Sequence, residues 1–386
     1  MNINNSRLVF VGLYNDTNLG DPIIAGSTEW LFSQFIDLKE KVIRLPLFPT
    51  FSIYSRIRRK IKRSISASLG KKDYEYSLYK YYSQNIKKGD VIVTTGGGLI
   101  KYKFQECDLA LANLLKAASK KQAIVIFNSV GVEGYDTHSL RCQNLKIEII
   151  KAIQNNTLRY ISTRDDIQTL KEKYLNNLTG IPCIKVADPA VWCAEAYNIT
   201  PKSSNRTIGI GIIRSNIFID YGISFSEERV YHLYMEMIKL LKIQGHDIIL
   251  FTNGLNADNL FAQKIQNALK DEENIQCELY IPQSASELIH SISQFKGIIA
   301  GRLHSCIIAY SLNIPAIGLV WNDKLTLFGK NIGAEENFIT HENFSPSYIV
   351  TQLQTAIQKG YNQDIAQTFK QTIKDSIKEI TQLYLN

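Results

Sequence analysis

Ile298-Ile-Ala-Gly-Arg-Leu-His-Ser-Cys-Ile-Ile-Ala-Tyr-Ser-Leu-Asn-Ile-Pro-Ala-Ile-Gly-Leu-Val-Trp-Asn-Asp-Lys324 is the stretch around which the chain is organised. Gly297–Ala300 is a short apolar run closed by Gly301, the pattern of a buried strand. From Arg302 onward, Leu303, Ile307, Ile308 and Leu312 fall on one helical face, and Asn313 and Pro315 stop that helix. A second apolar run, Pro315–Val320, then breaks into Trp321-Asn322-Asp323-Lys324. The pattern predicts a β-turn-α-turn-β unit with Arg302, His304 and Ser305 at the helix N-terminus. Open α/β sheets bind ligands at that edge, and the helix N-terminus already favours an anion. An arginine and a titratable imidazole beside it point to chemistry on a phosphate or carboxylate, although an ion-paired Arg302 and a packed His304 would fit the same spelling.

Outward from this stretch the alternation of strand and helix continues in both directions. Arg7–Leu13 reads as a first buried strand opening into Asn18-Leu19-Gly20-Asp21-Pro22, where Gly20 gives the backbone room, Asp21 can cap and Pro22 fits a first helical turn. That polar loop is longer than a turn requires, so Asn18 and Asp21 are candidate substrate contacts. Strand Asp90–Thr94 ends in Thr95-Gly96-Gly97-Gly98, expected as a site-lining loop. It matches neither the dinucleotide fingerprint nor a P-loop. Thr163-Arg164-Asp165 and Asp188-Pro189-Ala190 follow later strands, with both aspartates read as turn or cap residues. Pro201-Lys202-Ser203-Ser204-Asn205 is a breaker-rich linker, after which strand Thr207–Ile213 delivers Arg214 to the ligand edge.

At 386 residues the chain suits two domains. The boundaries expected are 1–200 and 201–345 for two Rossmann-like α/β domains facing a cleft, with helices over 346–386 that can pack back on the first. Hydrophobic residues at 45% and charged residues at 21% are those of a globular protein, and no apolar run reaches the roughly 20 residues that span a bilayer. The N-terminal residues lack a signal-peptide pattern, so a cytoplasmic location is expected. The six cysteines show no Cys-x-x-Cys spacing, which argues against a zinc site or a disulfide framework, and no metal is expected. A net charge of +8 favours anionic partners. The most basic segment, within 53–69, repeats apolar residues every four positions. It reads equally as a helix lying on an anionic membrane at the inner face or as one packed on the sheet. No nucleic-acid module is recognisable.

The motifs in order are Asn18-Leu19-Gly20-Asp21, Asp90…Thr95-Gly96-Gly97-Gly98-Leu99, Thr163-Arg164-Asp165, Asp188-Pro189-Ala190, Gly301-Arg302-Leu303-His304-Ser305, Ile314-Pro315 and Asp323-Lys324. Together they resemble the polysaccharide pyruvyl transferase family over nearly the whole chain. Family members often carry an acidic residue after Gly-Asp, where this chain has Pro22. The resemblance implies a GT-B-like fold and transfer of pyruvate from phosphoenolpyruvate onto two hydroxyls of a sugar, forming a cyclic ketal in a surface polysaccharide or its precursor. Phosphoenolpyruvate is then a co-substrate, with no cofactor, and the acceptor is a sugar, an oligosaccharide or a lipid-linked glycan. On this reading His304 and Arg302 are catalytic. Arg214, Arg302, Lys324 and Ser305 hold the donor, while Asn18, Asp21 and Gly96, Gly97 and Gly98 meet the acceptor from the N-terminal domain. A GT-B glycosyltransferase using a nucleotide sugar, and a non-catalytic glycan- or lipid-phosphate-binding protein, stay open as alternatives.

Overall fold

A computed structural model describes residues 7–14, 17–38, 42–49, 67–100, 106–202 and 206–385. Of the basic stretch 53–69, residues 53–66 lie outside the described residues, as do residues 203–205 of the linker. Packing divides the chain into two compact units: residues 1–15, 28–189 and 372–386, and residues 16–27 and 190–371.

The first unit is built on a parallel sheet. Its strands are β1 (Leu8–Gly12), β2 (Val42–Pro46), β3 (Val91–Thr94), β4 (Gly97–Ile100), β5 (Ile124–Val132), β6 (Leu158–Thr163) and β7 (Cys183–Lys185). They run in the order β2-β1-β3-β5-β6-β7, with β4 added on β5. β1 and β3 are buried on both faces, which is why they read as unbroken apolar runs rather than alternating ones. Helices Ala67–Asn85 (α2 here, after α1 at Gly20–Ser33), Cys107–Lys121 (α3) and Leu140–Gln154 (α4) connect these strands. Leu111, Leu114, Leu115, Leu145 and Ile149 from α3 and α4 join Val125 and Phe127 of β5 in one core.

The glycine run expected as a loop is in part a strand. Gly97 and Ile100 pair in parallel with Val130 and Val132, because β5 continues past Ile126 through a register shift at Phe127–Val130. Ser129, at φ +49°, sits inside that irregularity. Gly96 and Gly97, at φ +97° and +99°, take a backbone course that side chains resist.

The second unit carries β8 (Thr207–Gly211), β9 (Asp247–Phe251), β10 (Glu278–Tyr280), β11 (Gly297–Ala300), β12 (Ala316–Val320) and β13 (Phe338–Thr340), all parallel, in the order β10-β9-β8-β11-β12-β13. Ala300 pairs with both Gly211 and Gly318, so β8 and β11 end level with one another while β12 runs two residues further, to Val320. Helices α5 (Glu227–Ile243), α6 (Asn256–Glu273), α7 (Ala285–Ile292), α8 (Leu303–Ser311), α9 (Asp323–Asn331) and α10 (Pro346–Lys359) join or follow the strands. Helix α9 and strand β13 were not read from the sequence. Among the described residues no helix is long and apolar enough to cross a membrane.

Residues 190–200, placed with the first domain by the linker at 201–205, group with the second unit, and two further segments join a unit distant from them in sequence, each for a visible reason. Residues 16–27 belong with the second unit, where the Leu19 N–H donates to the Asn253 carbonyl at 3.0 Å. Residues 372–386, most of the last helix (α11, Gln363–Tyr384), belong with the first unit. There Ile373, Ile377 and Ile380 are fully buried, and Tyr160 Oη lies 3.2 Å from Ser376 Oγ and donates to Glu379 Oε2 at 2.8 Å.

Candidate active site

The ends of β8, β11 and β12, neighbours in the sheet, place three turns side by side in the second unit. After β11, Gly301 has no room for a side chain, since a Cβ there would stand 2.6 Å from Ile213 Cγ2. Arg302 is the N-cap of α8 in extended backbone, and its side chain makes no cap bond to that helix. The arginine turns toward Asp258 in the first turn of α6. Nε and Nη2 each donate to that carboxylate at 2.8 Å, a fork-to-fork pair. Asp258 is fully buried and also accepts the backbone N–H of Arg214 at 3.0 Å. Arg302 is thus pinned through two of its nitrogens, and among the described residues none bonds Nη1.

Arg214 is placed by the same carboxylate through its backbone, while its guanidinium meets Asp220 at 2.5 Å and Asn216 Oδ1 at 2.9 Å. Trp321, after β12, donates from Nε1 to the Gly301 carbonyl at 2.5 Å, and the Tyr221 ring meets the indole edge-on at 4.7 Å. Lys324 lies in the first turn of α9, whose N-cap Asn322 makes no side-chain cap bond. Two adjacent helix N-termini without side-chain caps and two arginines therefore share one edge of this sheet, a setting suited to an anion.

His304 is nine-tenths buried in the first turn of α8. It faces the 16–27 segment: a Cβ on Gly20 would stand 2.2 Å from His304 Nδ1 and 2.4 Å from Cγ. The glycine here is demanded by close approach to the imidazole. Asn18 and Asp21 flank this contact, with Asn18 Nδ2 donating to Asp21 Oδ2 at 3.0 Å, and Pro22 sits in the first turn of α1, where its missing N–H is not needed. Asn18 and Asp21, expected in a separate N-terminal domain, therefore belong to the unit that holds His304. Ser305 is fully buried and its hydroxyl donates to Asn253 Oδ1 at 2.6 Å, so its proton is committed to the protein. Cys306 behind it is a core residue, its thiol pushed up to about 12 by burial.

In the first unit, Gly96 and Gly97 are buried and Gly98 is half-buried at the corresponding sheet edge. A Cβ on Gly12 would meet Thr95 Oγ1, and Thr28 Oγ1 donates to the Thr95 carbonyl at 2.8 Å. Arg164 and Asp188 form a buried ion pair. Asp165 Oδ1 accepts the Val132 and Asp166 N–H groups at 2.6 and 3.0 Å, a turn-stabilising role.

Asp258 and Asn253 were not singled out from the sequence. Asp258 reads there as an ordinary acidic residue in a helix's first turn. The signal available for Asn253 was its position just past β9, the same rule that marked Arg214.

Two parallel α/β units of this kind define a GT-B-like architecture. Three solved structures share it across nearly their whole length. The UDP-GlcNAc 2-epimerase of Methanocaldococcus jannaschii has 11% identity and a TM-score of 0.59, over 97% of this chain and 99% of that one. The UDP-GlcNAc 2-epimerase of Neisseria meningitidis, bound to UDP-GlcNAc, has 11% identity and a TM-score of 0.57, over 98% of each chain. The UDP-forming α,α-trehalose-phosphate synthase of Burkholderia vietnamiensis has 9% identity and a TM-score of 0.50, over 96% and 95%. At these identities the likeness is one of fold. No curated protein matches the chain at the sequence level. The polysaccharide pyruvyl transferase family profile matches residues 18–323, from Asn18 through Asp323, and the chain belongs to that family of transferases acting on polysaccharide.

Proposed function

We propose that this protein transfers pyruvate from phosphoenolpyruvate onto two hydroxyls of one sugar in a surface polysaccharide, such as a capsule or exopolysaccharide, or in its precursor. The observation that carries this reading is the pairing, two residues apart on one turn, of a pinned arginine whose Nη1 is bonded by none of the described residues and an imidazole at a helix N-terminus whose N-cap side chain makes no cap bond. Phosphate needs the first and proton transfer the second.

On this reading the donor's phosphate lies at the α8 and α9 N-termini, against Arg302 Nη1, Arg214 and Lys324. His304 delivers a proton to the methylene carbon of the enol phosphate, making it a methyl group and leaving an oxocarbenium-like centre at C2. One sugar hydroxyl adds to C2 and gives up its proton. The C2–O bond to phosphate breaks, with the electron pair leaving on inorganic phosphate, whose charge the arginines offset. The second hydroxyl then adds to C2 and closes the ketal. One sugar proton ends on the new methyl group and the other on phosphate or solvent. Asn18 and Asp21 contact the acceptor.

The test is phosphate release from phosphoenolpyruvate with a panel of free and lipid-linked sugars, for wild type and His304→Ala. Acceptor-dependent release that disappears in a folded variant supports the reading. Turnover retained by His304→Ala would remove the acid–base role. Calorimetric binding of UDP-GlcNAc in place of phosphoenolpyruvate would favour a nucleotide-sugar transferase instead.

A further inference from the structure

Asn253 is 1% exposed and lies in the turn after β9, between the 16–27 segment and α8. The turn is rigidly built. Thr252 Oγ1 donates to Asn259 Oδ1 at 2.6 Å, Asn259 Nδ2 donates to the Gly254 carbonyl at 3.3 Å, and Gly254 is at φ +92°. Asn253 takes a bond from each neighbour: its carbonyl accepts the Leu19 N–H at 3.0 Å and its Oδ1 accepts the Ser305 hydroxyl at 2.6 Å. Gly254 closes on the same segment, since a Cβ there would stand 2.7 Å from the Thr17 carbonyl oxygen. Leu19 precedes the glycine that abuts the imidazole, and Ser305 follows the imidazole itself. One residue thus holds both sides of the Gly20–His304 contact.

The amide also carries a cost. Asn253 Nδ2 is buried and has no hydrogen-bond partner among the described residues. An orphaned buried donor is by itself destabilising. Only the acceptor end is used. An aspartate would supply that acceptor without the orphan, but would add a negative charge next to the α8 N-terminus. The amide is the neutral way to hold Ser305 beside a site for an anion.

We propose that Asn253 is a positioning residue for His304: it fixes the 18–20 turn and Ser305 so that the imidazole is clamped between Gly20 and α8 in its proton-transfer orientation. This rests on the pyruvyl-transfer reading for its kinetic consequence, but the clamp itself can be tested without turnover. Protein labelled with 15N-histidine contains six histidines, and His304→Gln identifies the His304 signal. In Asn253→Leu the clamp loses its side-chain bond, and the expected result is a displaced and broadened His304 signal with a changed pH titration, the other five unmoved. Asn253→Asp keeps the acceptor and is expected to restore the wild-type His304 line shape. With phosphoenolpyruvate and a competent acceptor, Asn253→Leu is expected to lose kcat by about tenfold to a hundredfold, the range a displacement near 1 Å produces, with little change in KM. Asn253→Asp is expected to recover kcat and raise KM for phosphoenolpyruvate through its added charge. Should Asn253→Leu not fold, Asn253→Ser supplies the same comparison. A folded variant whose His304 signal and titration match wild type overturns the proposal. Wild type showing no pyruvyl transfer while the His304 signal responds to Asn253→Leu would instead overturn the reaction and leave the clamp standing.

Discussion

Gly20 and His304 stand 284 residues apart in sequence, yet the imidazole occupies the space where a Gly20 side chain would be. This contact explains why the first turn of α1 belongs with the second unit. It also makes Gly20→Ala a sharp test. The new methyl group would stand 2.2 Å from Nδ1, so the ring or the helix end has to move. We expect the variant to fold, because the displacement is local, and to lose about 10²-fold in turnover, as a shift near 1 Å at a reacting group does. Thermal melting beside kinetics checks both halves, and full activity in Gly20→Ala would sink the claim that the imidazole's seat matters.

Asp258 joins the turns after β8 and β11 through three bonds. Removing one member of a buried pair leaves the other charge uncompensated, so Asp258→Ala should cost about 3–5 kcal/mol in chemical denaturation. Arg302→Ala/Asp258→Ala together should cost less than the two singles summed, since no lone charge remains. Additive losses would mean that the pair contributes nothing as a pair.

The edge of the second sheet was legible because local signals coincide there. An apolar run, a glycine, an arginine and a helical period are all spelled within 298–312. What lies beside that edge was not legible. Sequence order alone puts Asn18 and Asp21 with the N-terminal half, since nothing local encodes that Leu19 N–H bonds to Asn253. Gly97–Ile100 was expected as a loop because three glycines mark a turn by composition. Its pairing with Val130 and Val132 depends on an irregularity in β5 at Ser129, a non-glycine residue with positive φ that no pattern announces. Asp258 escaped notice for the same reason: its partners are 44 residues away on either side.

Helix α11 makes a further prediction. Ile373, Ile377 and Ile380 are fully buried in the first unit. Removing 372–386 exposes their contact surface, and at about 1.5–3 kcal/mol for each large aliphatic side chain the loss approaches the whole stability of a typical domain. The truncated chain should aggregate or show no cooperative unfolding. The gentler Tyr160→Phe removes one hydroxyl from its bond to Glu379 and its contact with Ser376, and should cost about 1 kcal/mol. A truncated chain with a wild-type melting curve would show that these isoleucines are dispensable.

Cys306 lies two residues after His304, and a thiol so near an imidazole and a helix N-terminus invites assignment as a nucleophile. The local physics points the other way. Burial is the cause acting on it, and burial disfavours the charged form, so its pKa moves upward, to about 12. At pH 8 a thiol with that pKa is ionised in only about one molecule in 10⁴, and only the thiolate attacks an alkylating reagent. Cys107, Cys142 and Cys193 are buried too, while Cys183 and Cys277 are half-buried with thiols also raised by burial. Native protein treated with iodoacetamide at pH 8 should therefore be labelled slowly and only at Cys183 and Cys277, whereas denatured protein should be labelled at all six. Cys306→Ala should leave the pH profile of turnover unchanged, because a group that stays protonated across the working range contributes no ionisation to it. Rapid native labelling at Cys306, mapped by mass spectrometry, would mean that the thiol is reached by solvent and belongs to the site rather than to the core behind it.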